Sequence, residues 1–229
     1  MAETARQPRG GRRDRNMQEK RDRIFEAASA LFAERGFQAV TTSEVAERAD
    51  VAAGTLFRYA ASKGELLLMV YNERFRAAID EGQLAARAHV NVVDAVVALV
   101  LPVIELAQRT ADDGVWYQRE LMFGPPSEQY RAEGLALVER LETAIATELA
   151  RAESADQDAV EPSEDAVLAG RTIFAIVHLA AVSASNRGHL RLGARDTDLR
   201  QQIAHVIAGY RGAVDDPSKS TPQHKGDTP

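Results

Sequence analysis

The sequence predicts an all-α protein of about nine helices, and three observations carry this prediction. Apolar residues recur at spacings of three and four over most of the chain, which is the period of an amphipathic helix. Capping Ser, Thr and Asn residues precede these stretches, and Gly or Pro residues follow them. No segment alternates apolar and polar residues as a half-buried strand does, and no internal repeat is found.

Length and composition limit the class of protein. The chain has 229 residues, of which 45% are hydrophobic and 27% charged, enough to build the core of one large or two modest domains. The absence of cysteine excludes disulfides, thiolate metal sites and a cysteine nucleophile. No apolar run approaches the ~18 residues of a membrane span, and the N-terminus lacks the apolar segment of a secretory signal. A cytoplasmic protein is expected.

Positive charge is concentrated at the start of the chain. The formal net charge is −6, yet residues 1–76 carry 14 Lys+Arg against 11 Asp+Glu, a net of +3. Residues 77–229 carry 14 against 23, a net of −9. This asymmetry indicates an N-terminal part that faces phosphate and an acidic remainder. A chance distribution with a basic tail is the alternative.

The first segment is basic and poor in apolar residues. Residues 1–17 hold five arginines and cannot bury enough surface to fold, so we expect a disordered arm. An arm that follows the DNA backbone or minor groove is the functional alternative. A helix is predicted from Met17 to Gly36, since glycine readily adopts the left-handed conformation of a helix end. Its apolar stripe consists of Ile24, Phe25, Ala28, Leu31 and Phe32.

Residues 41–63 have the pattern of two short helices joined by a tight turn. Thr41 and Glu44 have the spacing of a capping box. Asp50-Val51-Ala52 is the predicted turn, and the second helix continues to Tyr59. This order is that of a helix-turn-helix, whose second helix enters the major groove of DNA. The apolar seam between the two helices is expected from Val45, Ala49, Val51 and Leu56.

The outward face of this motif carries the residues that we expect to contact DNA. Small residues at the start of the second helix let its backbone approach, and Arg58 is the long donor suited to guanine. Tyr59 and Lys63 are expected to meet phosphates, Lys63 together with the N-terminus of the next helix. Helix capping by the threonines, a core position for Phe57 and a plain surface role for Tyr59 and Lys63 are the alternatives. The predicted DNA-binding set is Thr41, Thr42, Ala52, Ala53, Gly54, Thr55, Phe57, Arg58, Tyr59 and Lys63.

The middle of the chain continues in helices. Ser62 opens a helix with a second Ser-x-x-Glu pattern, and Asn91 caps a very apolar helix in which Pro102 is expected to cause a kink or a break. A turn at Asp112-Asp113-Gly114 and a stop at Gly124-Pro125-Pro126 bracket a short aromatic helix. A long helix follows from about Ser127 to Ala152, with Leu135, Val138, Leu141, Ile145 and Leu149 facing inward.

Two helices close the chain, at about residues 164–186 and 196–212. The first, capped by Ser163, is apolar over much of its circumference, which indicates burial on several sides. Contact with a second copy of the chain would bury it, and burial within the monomer is the alternative. Residues 214–229 are rich in Pro, Ser, Lys and Gly and are expected to be disordered.

Bulky or polar residues in otherwise aliphatic helices are candidates for lining a small-molecule site. For His178 a core or interface position is the alternative. The histidines are scattered, and no metal-binding spacing, serine elbow or phosphate-binding glycine loop is found. The sequence therefore predicts no catalytic residue, no metal site and no cofactor. The ligand-binding candidates are Trp116, Tyr117, Met122, Phe123, Phe174 and His178.

Residues 21–70 resemble the N-terminal domain of the tetracycline-repressor (TetR) family. Asp50 and Ala52 depart from the family pattern, since glycine is common in the turn and serine at the cap. Ala60 and Gly64 replace an aromatic and an acidic residue. We expect these departures to affect how tight the turn is and how the second helix is oriented, but not the class of protein. The matching residues are Ala28, Leu31, Phe32, Glu34, Gly36, Phe37, Thr41, Thr42, Val45, Ala46, Gly54, Thr55, Leu56, Phe57, Tyr59, Ser62 and Lys63.

The resemblance implies a helical homodimer. Its C-terminal part would bind a small ligand, and its last two helices would form a four-helix interface with the partner. Ligand binding would change the spacing of the two DNA-binding heads and release the operator. The implied domains are a disordered arm at 1–17, a helix-turn-helix DNA-binding domain at 18–66, a ligand-binding and dimerisation domain at 67–213, and a disordered tail at 214–229.

We therefore expect a homodimeric repressor that a small, largely apolar effector releases from a palindromic operator in double-stranded DNA. One alternative is a small-molecule-binding protein or enzyme that retains the helix-turn-helix as a structural element. Another is an activator or an architectural protein on the same scaffold. No contact with a membrane is expected.

Overall fold

The computed structural model describes residues 10–109, 111–126, 128–153, 161–185 and 196–214. In these ranges the chain forms nine helices and no strand, as the sequence predicts. The helices are α1 (Gly10–Ala39), α2 (Thr42–Arg48), α3 (Ala53–Leu56), α4 (Lys63–Ala86), α5 (Val92–Arg109), α6 (Ala111–Phe123), α7 (Gln129–Arg151), α8 (Glu164–Ser185) and α9 (Asp196–Val214).

The first helix is longer than predicted. α1 begins at Gly10, so the disordered arm predicted for residues 1–17 is wrong for its second half. Residues 10–23 are rich in Arg, Gln, Glu and Lys, which extend a helix readily once a packed segment has nucleated it. Residues 1–9 and 215–229 lie outside the described residues, and so do these parts of the predicted arm and tail.

The predicted caps are present. Asn91 Oδ1 accepts hydrogen bonds from the amides of Val93 (2.9 Å) and Asp94 (3.3 Å) at the start of α5. Ser163 Oγ accepts one from the amide of Ala166 (3.2 Å) at the start of α8. These bonds satisfy amides that have no partner within the helix, which fixes where each helix begins.

Three helix details differ from the predictions. α5 continues through the buried Pro102 to Arg109, so the proline does not end the helix, and packing on one side outweighs its missing amide bond. Asp112, Asp113 and Gly114 lie in the first turns of α6 instead of a separate turn. Leu135, predicted to face inward on α7, is exposed.

The described helices fall into two compact units. The first comprises Met1–Arg74 and Asp112–Ala136, so the helix-turn-helix shares its unit with α6 and the beginning of α7. The functional boundary between residues 66 and 67 stays a prediction. Buried residues of this unit include Ile24, Ala28, Leu31, Phe32, Val40, Val45, Leu56, Leu66, Leu67, Val70, Tyr117 and Tyr130.

The second unit comprises Phe75–Ala111 and Leu137–Pro229. Its core is aliphatic and is built from α5, α7, α8, α9 and the end of α4. Gly82 allows α4 to approach α5, because a Cβ at this position would lie 2.0 Å from the carbonyl oxygen of Leu99. The largest fully buried side chains of this core include Ile79, Leu99, Leu141, Ile145, Leu149 and Ile173.

One helix is more apolar than the composition suggested. Residues 164–182 of α8 are long and apolar enough, by composition alone, to cross a membrane. The stretch is not an uninterrupted apolar run, because it includes Glu164, Asp165 and Arg171. Only 33% of this stretch is buried within the chain, although α8 packs against α5 and α9. Much of an apolar helix surface thus remains uncovered in a single copy.

Candidate nucleic-acid interface

Apolar residues of the helix-turn-helix face the inside of the first unit. Val45, Ala46 and Ala49 of α2 are buried, and Leu56 of α3 is fully buried. Their burial agrees with the predicted seam, in which Val51 is only half-buried. Because Leu56 points inward, its neighbours along α3 are directed outward.

The second helix of the motif is shorter than predicted. α3 covers Ala53–Leu56, and Ala52 caps it in extended conformation without a side-chain hydrogen bond. A missing cap bond costs a helix ~1 kcal/mol, which weakens its start. After Leu56 the chain continues in single turns, in which the amide of Arg58 donates to the carbonyl of Thr55 (3.1 Å).

The predicted contact residues around α3 are open to solvent. Phe57 is 46% exposed, so the alternative of a core position for it is wrong. Thr55 and Tyr59 are half-buried, and each keeps part of its side chain accessible. The remaining members of this group, Ala52, Ala53, Gly54 and Arg58, are exposed.

Arg58 differs from other arginines of this unit in having no internal partner. Arg48 forms two hydrogen bonds of 2.8 Å with Glu34, and Arg35 forms one of 2.9 Å with Glu44. Within the described part of the chain, the side chain of Arg58 forms neither a hydrogen bond nor an ion pair. Its guanidinium can therefore make bidentate contacts without first breaking an existing bond.

The start of α2 is a complete capping box, as the sequence predicts. Thr41 Oγ1 accepts from the amide of Glu44 (3.3 Å), and the carboxylate of Glu44 accepts from the amide of Thr41 (2.7 Å). Bonds from Arg35, and then from Thr41, hold the pKa of Glu44 at about 2. Thr41 is thus a cap, and its exposed side chain stays at the surface next to the half-buried Thr42.

The turn departs from the expected sequence but not from the expected conformation. Asp50 has a φ of 52°, in the left-handed region where glycine is common and Asp is among the tolerated residues. The amide of Val51 donates to the carbonyl of Ala46 (3.0 Å) and closes the turn. The tight turn therefore forms without glycine.

Lys63 stands at the first position of α4 and is half-buried. Its Nζ donates to the carbonyl of Gln38 (3.1 Å) and lies 4.4 Å from the centre of the Phe37 ring. Burial lowers its pKa, while the charges of Asp113 and Glu44 oppose that shift. The ammonium is thus held in place with donor capacity left for a phosphate oxygen.

Ser62 caps α4 and connects it to α7. Its Oγ accepts from the amide of Glu65 (3.0 Å) and donates to Oε1 of Glu128 (3.1 Å). Burial raises the pKa of Glu128, and the nearby charges of Glu65 and Glu120 raise it further. The next residue, Gly64, packs closely against Glu120. A Cβ at this position would lie 2.5 Å from Oε2 of Glu120, so a larger residue would clash there.

The six ligand-binding candidates are divided between the two units. Trp116, Tyr117, Met122 and Phe123 belong to the first unit, with Trp116 against Phe37 and Tyr117 donating to Asn72 Oδ1 (3.0 Å). Met122 and Phe123 are exposed. In the second unit, Phe174 and His178 lie on α8 with ring centres 5.9 Å apart. Their role in ligand binding stays a prediction.

Two residues that organise this interface escaped sequence reasoning. Arg23 of α1 contacts the turn at Asp50, and Asp113 of α6 accepts from the amide of Phe37. No local sequence signal marks Asp113, because an acidic residue in the first turn of a helix is common.

In a comparison with known proteins, residues 24–70 match the family model described as "Bacterial regulatory proteins, tetR family". The HTH-type transcriptional repressor KstR of Mycolicibacterium smegmatis is 46% identical over 70 residues, 29% of this chain and 34% of that protein. KstR of Rhodococcus jostii is 45% identical over 65 residues, 28% of this chain and 31% of that protein. The match thus spans about a third of the length of these relatives.

Solved structures share the fold over most of the chain. The Thermus thermophilus transcriptional repressor FadR, solved with lauroyl-CoA, has a TM-score of 0.60 at 24% identity and covers 88% of this chain and 98% of its own. A TetR transcriptional regulator from Rhodococcus sp. RHA1 has a TM-score of 0.61 at 20% identity, covering 83% and 97%. Residues 24–70 thus match the N-terminal domain of the tetR family of bacterial regulatory proteins, and most of the chain shares the fold of these solved structures.

Proposed function

We propose that this protein is a DNA-binding transcriptional regulator, most simply a repressor. The observation that carries the proposal is the helix-turn-helix with exposed residues around α3 and an arginine free of internal partners. Thr41, Thr42, Tyr59 and Lys63 surround it as candidates for phosphate contacts, which fix orientation, while Arg58 reads a base edge. The relatives that match this segment are named repressors, which supports the same role here.

The uncovered faces of α8 and α9 support a homodimer. Leu168 (53% exposed) and Leu179 (48% exposed) project from α8, most of whose apolar stretch is unburied. On α9 the exposed residues His205, Ala208, Gly209 and Gly212 recur with the helix period. A Cβ at either glycine would meet nothing within 4 Å, so a partner helix has room to approach closely.

A second copy of the chain suits this surface better than a membrane. α8 begins with Glu164 and Asp165 and carries Arg171 on an exposed position, and α9 beside it is polar. Packing α8 and α9 against their counterparts makes a self-complementary interface of four helices. The two helix-turn-helix motifs of such a dimer would bind a palindromic site in successive major grooves.

The effector is proposed to be a small, largely apolar molecule that releases the protein from its operator. Aromatic residues among aliphatic ones suit such a ligand, and Trp116, Phe123, Phe174 and His178 are the candidates of this kind. Proteins of the same fold were solved with lauroyl-CoA (FadR), whose acyl chain is apolar, and with resorcinol (RolR), a small aromatic molecule. A cytoplasmic location follows from the proposed DNA target.

The proposal is tested by selecting binding sequences from a random duplex library with the full chain. We expect an inverted repeat, bound by two protomers, with affinity that falls steeply as salt rises. Selection of no sequence, or binding that ignores salt, would overturn it. A reporter with the selected site between promoter and start codon separates repression, which lowers expression, from activation, which raises it.

A further inference from the structure

The corner between α1 and α2 is shaped by one glycine and held by one carboxylate. Gly36 has φ 74° and ψ 159°, which ends the regular part of α1. The next amide, that of Phe37, donates to Oδ1 of Asp113 at 2.7 Å, across 76 residues of sequence. A hydrogen bond to an ionised carboxylate is among the stronger ones, and here it fixes the direction of the chain after Gly36.

The same corner provides the contacts that hold the Lys63 ammonium. The ammonium lies over the ring of Phe37 and donates to the carbonyl of Gln38, the residue that follows. The ring of Phe37 is in turn packed between Phe32 (5.7 Å) and Trp116 (5.9 Å). Asp113 fixes the backbone of Phe37 and Trp116 its ring, so both restraints from α6 converge on one residue.

We propose that Asp113 is a positioning residue for Lys63, which it keeps pointed toward DNA phosphate by fixing the Phe37–Gln38 corner. This inference rests on the proposed function for its DNA readout only. Without the carboxylate, the amide of Phe37 loses its acceptor, the corner can rotate, and the ammonium loses its carbonyl and ring contacts. Asp113 itself is not expected to contact DNA.

A test that needs no DNA uses lysine acetylation followed by peptide mass spectrometry. The chain has four lysines, and the exposed Lys20 serves as the internal reference for Lys63. In Asp113→Ala the Lys63:Lys20 rate ratio should rise about threefold or more, the effect of losing one hydrogen bond of ordinary strength. Asp113→Asn keeps an acceptor oxygen and should give a smaller rise. Asp22→Ala, an exposed site on α1, is the matched control and should change nothing.

The DNA readout compares the salt dependence of affinity on one duplex. Asp113→Ala should lower the slope of log K against log salt by about 0.9, the loss of one phosphate contact, as Lys63→Ala does. The double variant Asp113→Ala, Lys63→Ala should lose no more DNA affinity than Lys63→Ala alone. Additive losses, an unchanged slope, or an unchanged acetylation ratio would each overturn the positioning role.

Two further outcomes keep the test decisive. If Asp113→Ala does not fold, as judged by circular dichroism, Phe37→Leu removes the ring contact and should also raise the acetylation ratio; no change there contradicts the inference. If the wild-type chain binds no duplex, the proposed function fails, whereas the acetylation result still decides whether Asp113 positions Lys63.

Discussion

Arg23 of α1 donates from Nη1 to two oxygens of the turn residue Asp50, at 3.3 Å to carboxylate Oδ2 and 3.5 Å to the backbone carbonyl. Asp50 is the non-glycine residue with positive φ in the described part of the chain. The arginine therefore braces the helix-turn-helix at its least favourable backbone position. Both side chains are largely exposed, so the ion pair itself adds little to the stability of the fold. Its main effect is to orient the turn relative to α1.

Replacing the turn residue should separate backbone strain from the ion pair. Asp50→Gly should leave the free energy of unfolding unchanged or slightly higher, since glycine adopts positive φ freely. Asp50→Val should lower it by about 1–3 kcal/mol, because a β-branched residue is strained there. Chemical denaturation measures both. Equal destabilisation by glycine and valine would show that the Arg23 contact, not the φ angle, dominates.

The two proposed kinds of DNA contact predict different defects. Arg58→Ala should reduce discrimination at one base pair of each half-site by about 1–3 kcal/mol, since a bidentate contact is lost. Lys63→Ala should weaken binding to all sequences alike and lower the salt slope by about 0.9. Titrations against the selected duplex and its single-base variants measure both effects.

A matched control for these variants is Arg109→Ala, which removes the same charge from the second unit. It should leave the base preference intact. If Arg58→Ala weakens binding uniformly, or Lys63→Ala relaxes the preference at one position, the assigned roles are wrong.

The proposed dimer predicts a change of mass. Leu168→Glu combined with Leu179→Glu should convert the dimer to a monomer, because charges would be buried at the interface. Leu84→Glu is the matched control, since Leu84 is 69% exposed on α4, outside the proposed interface. Sedimentation equilibrium measures the mass. A wild-type monomer, or a double variant that stays dimeric, would contradict this interface.

The capping box predicts an acid-sensitive contribution to stability. The pKa of Glu44 is about 2 in the folded protein against 4.5 ordinarily, so between these values the unfolded chain binds more protons. The stabilising contribution of Glu44 is thus complete above about pH 4.5 and is lost as the pH falls toward 2.

Comparison with a neutral variant isolates this contribution. Glu44→Gln should be less stable than wild type at neutral pH, and the difference should shrink on acidification. Glu47→Gln, at an exposed position of the same helix, should follow the wild-type profile. Urea denaturation at several pH values measures the difference, and a gap between Glu44→Gln and wild type that is independent of pH would speak against the cap.

Local signals were the predictable part of this molecule. The stripe around Ile24 and Phe32, the caps at Thr41, Ser62, Asn91 and Ser163, and the helical end at Gly36 all depend on residues within one or two turns. They determined the class of fold and the place of the helix-turn-helix.

Long-range packing was the part that sequence could not supply. The bond from Phe37 to Asp113 joins residues 76 apart, and no local pattern marks either as a partner. Pro102 lies inside α5 because its environment is buried, and Leu135 is exposed although its spacing fits the inner face. In each case tertiary contacts outweighed the local preference.

The most direct test is hydroxyl-radical footprinting of the selected DNA duplex with the full chain bound to it. We expect two protected patches on the DNA, related by two-fold symmetry, with centres about one helical turn (~34–36 Å) or a whole multiple of it apart. Both patches should weaken together in Arg58→Ala. A single protected patch, or protection with no symmetry, would contradict the claim that two copies of the α2–α3 motif bind one operator.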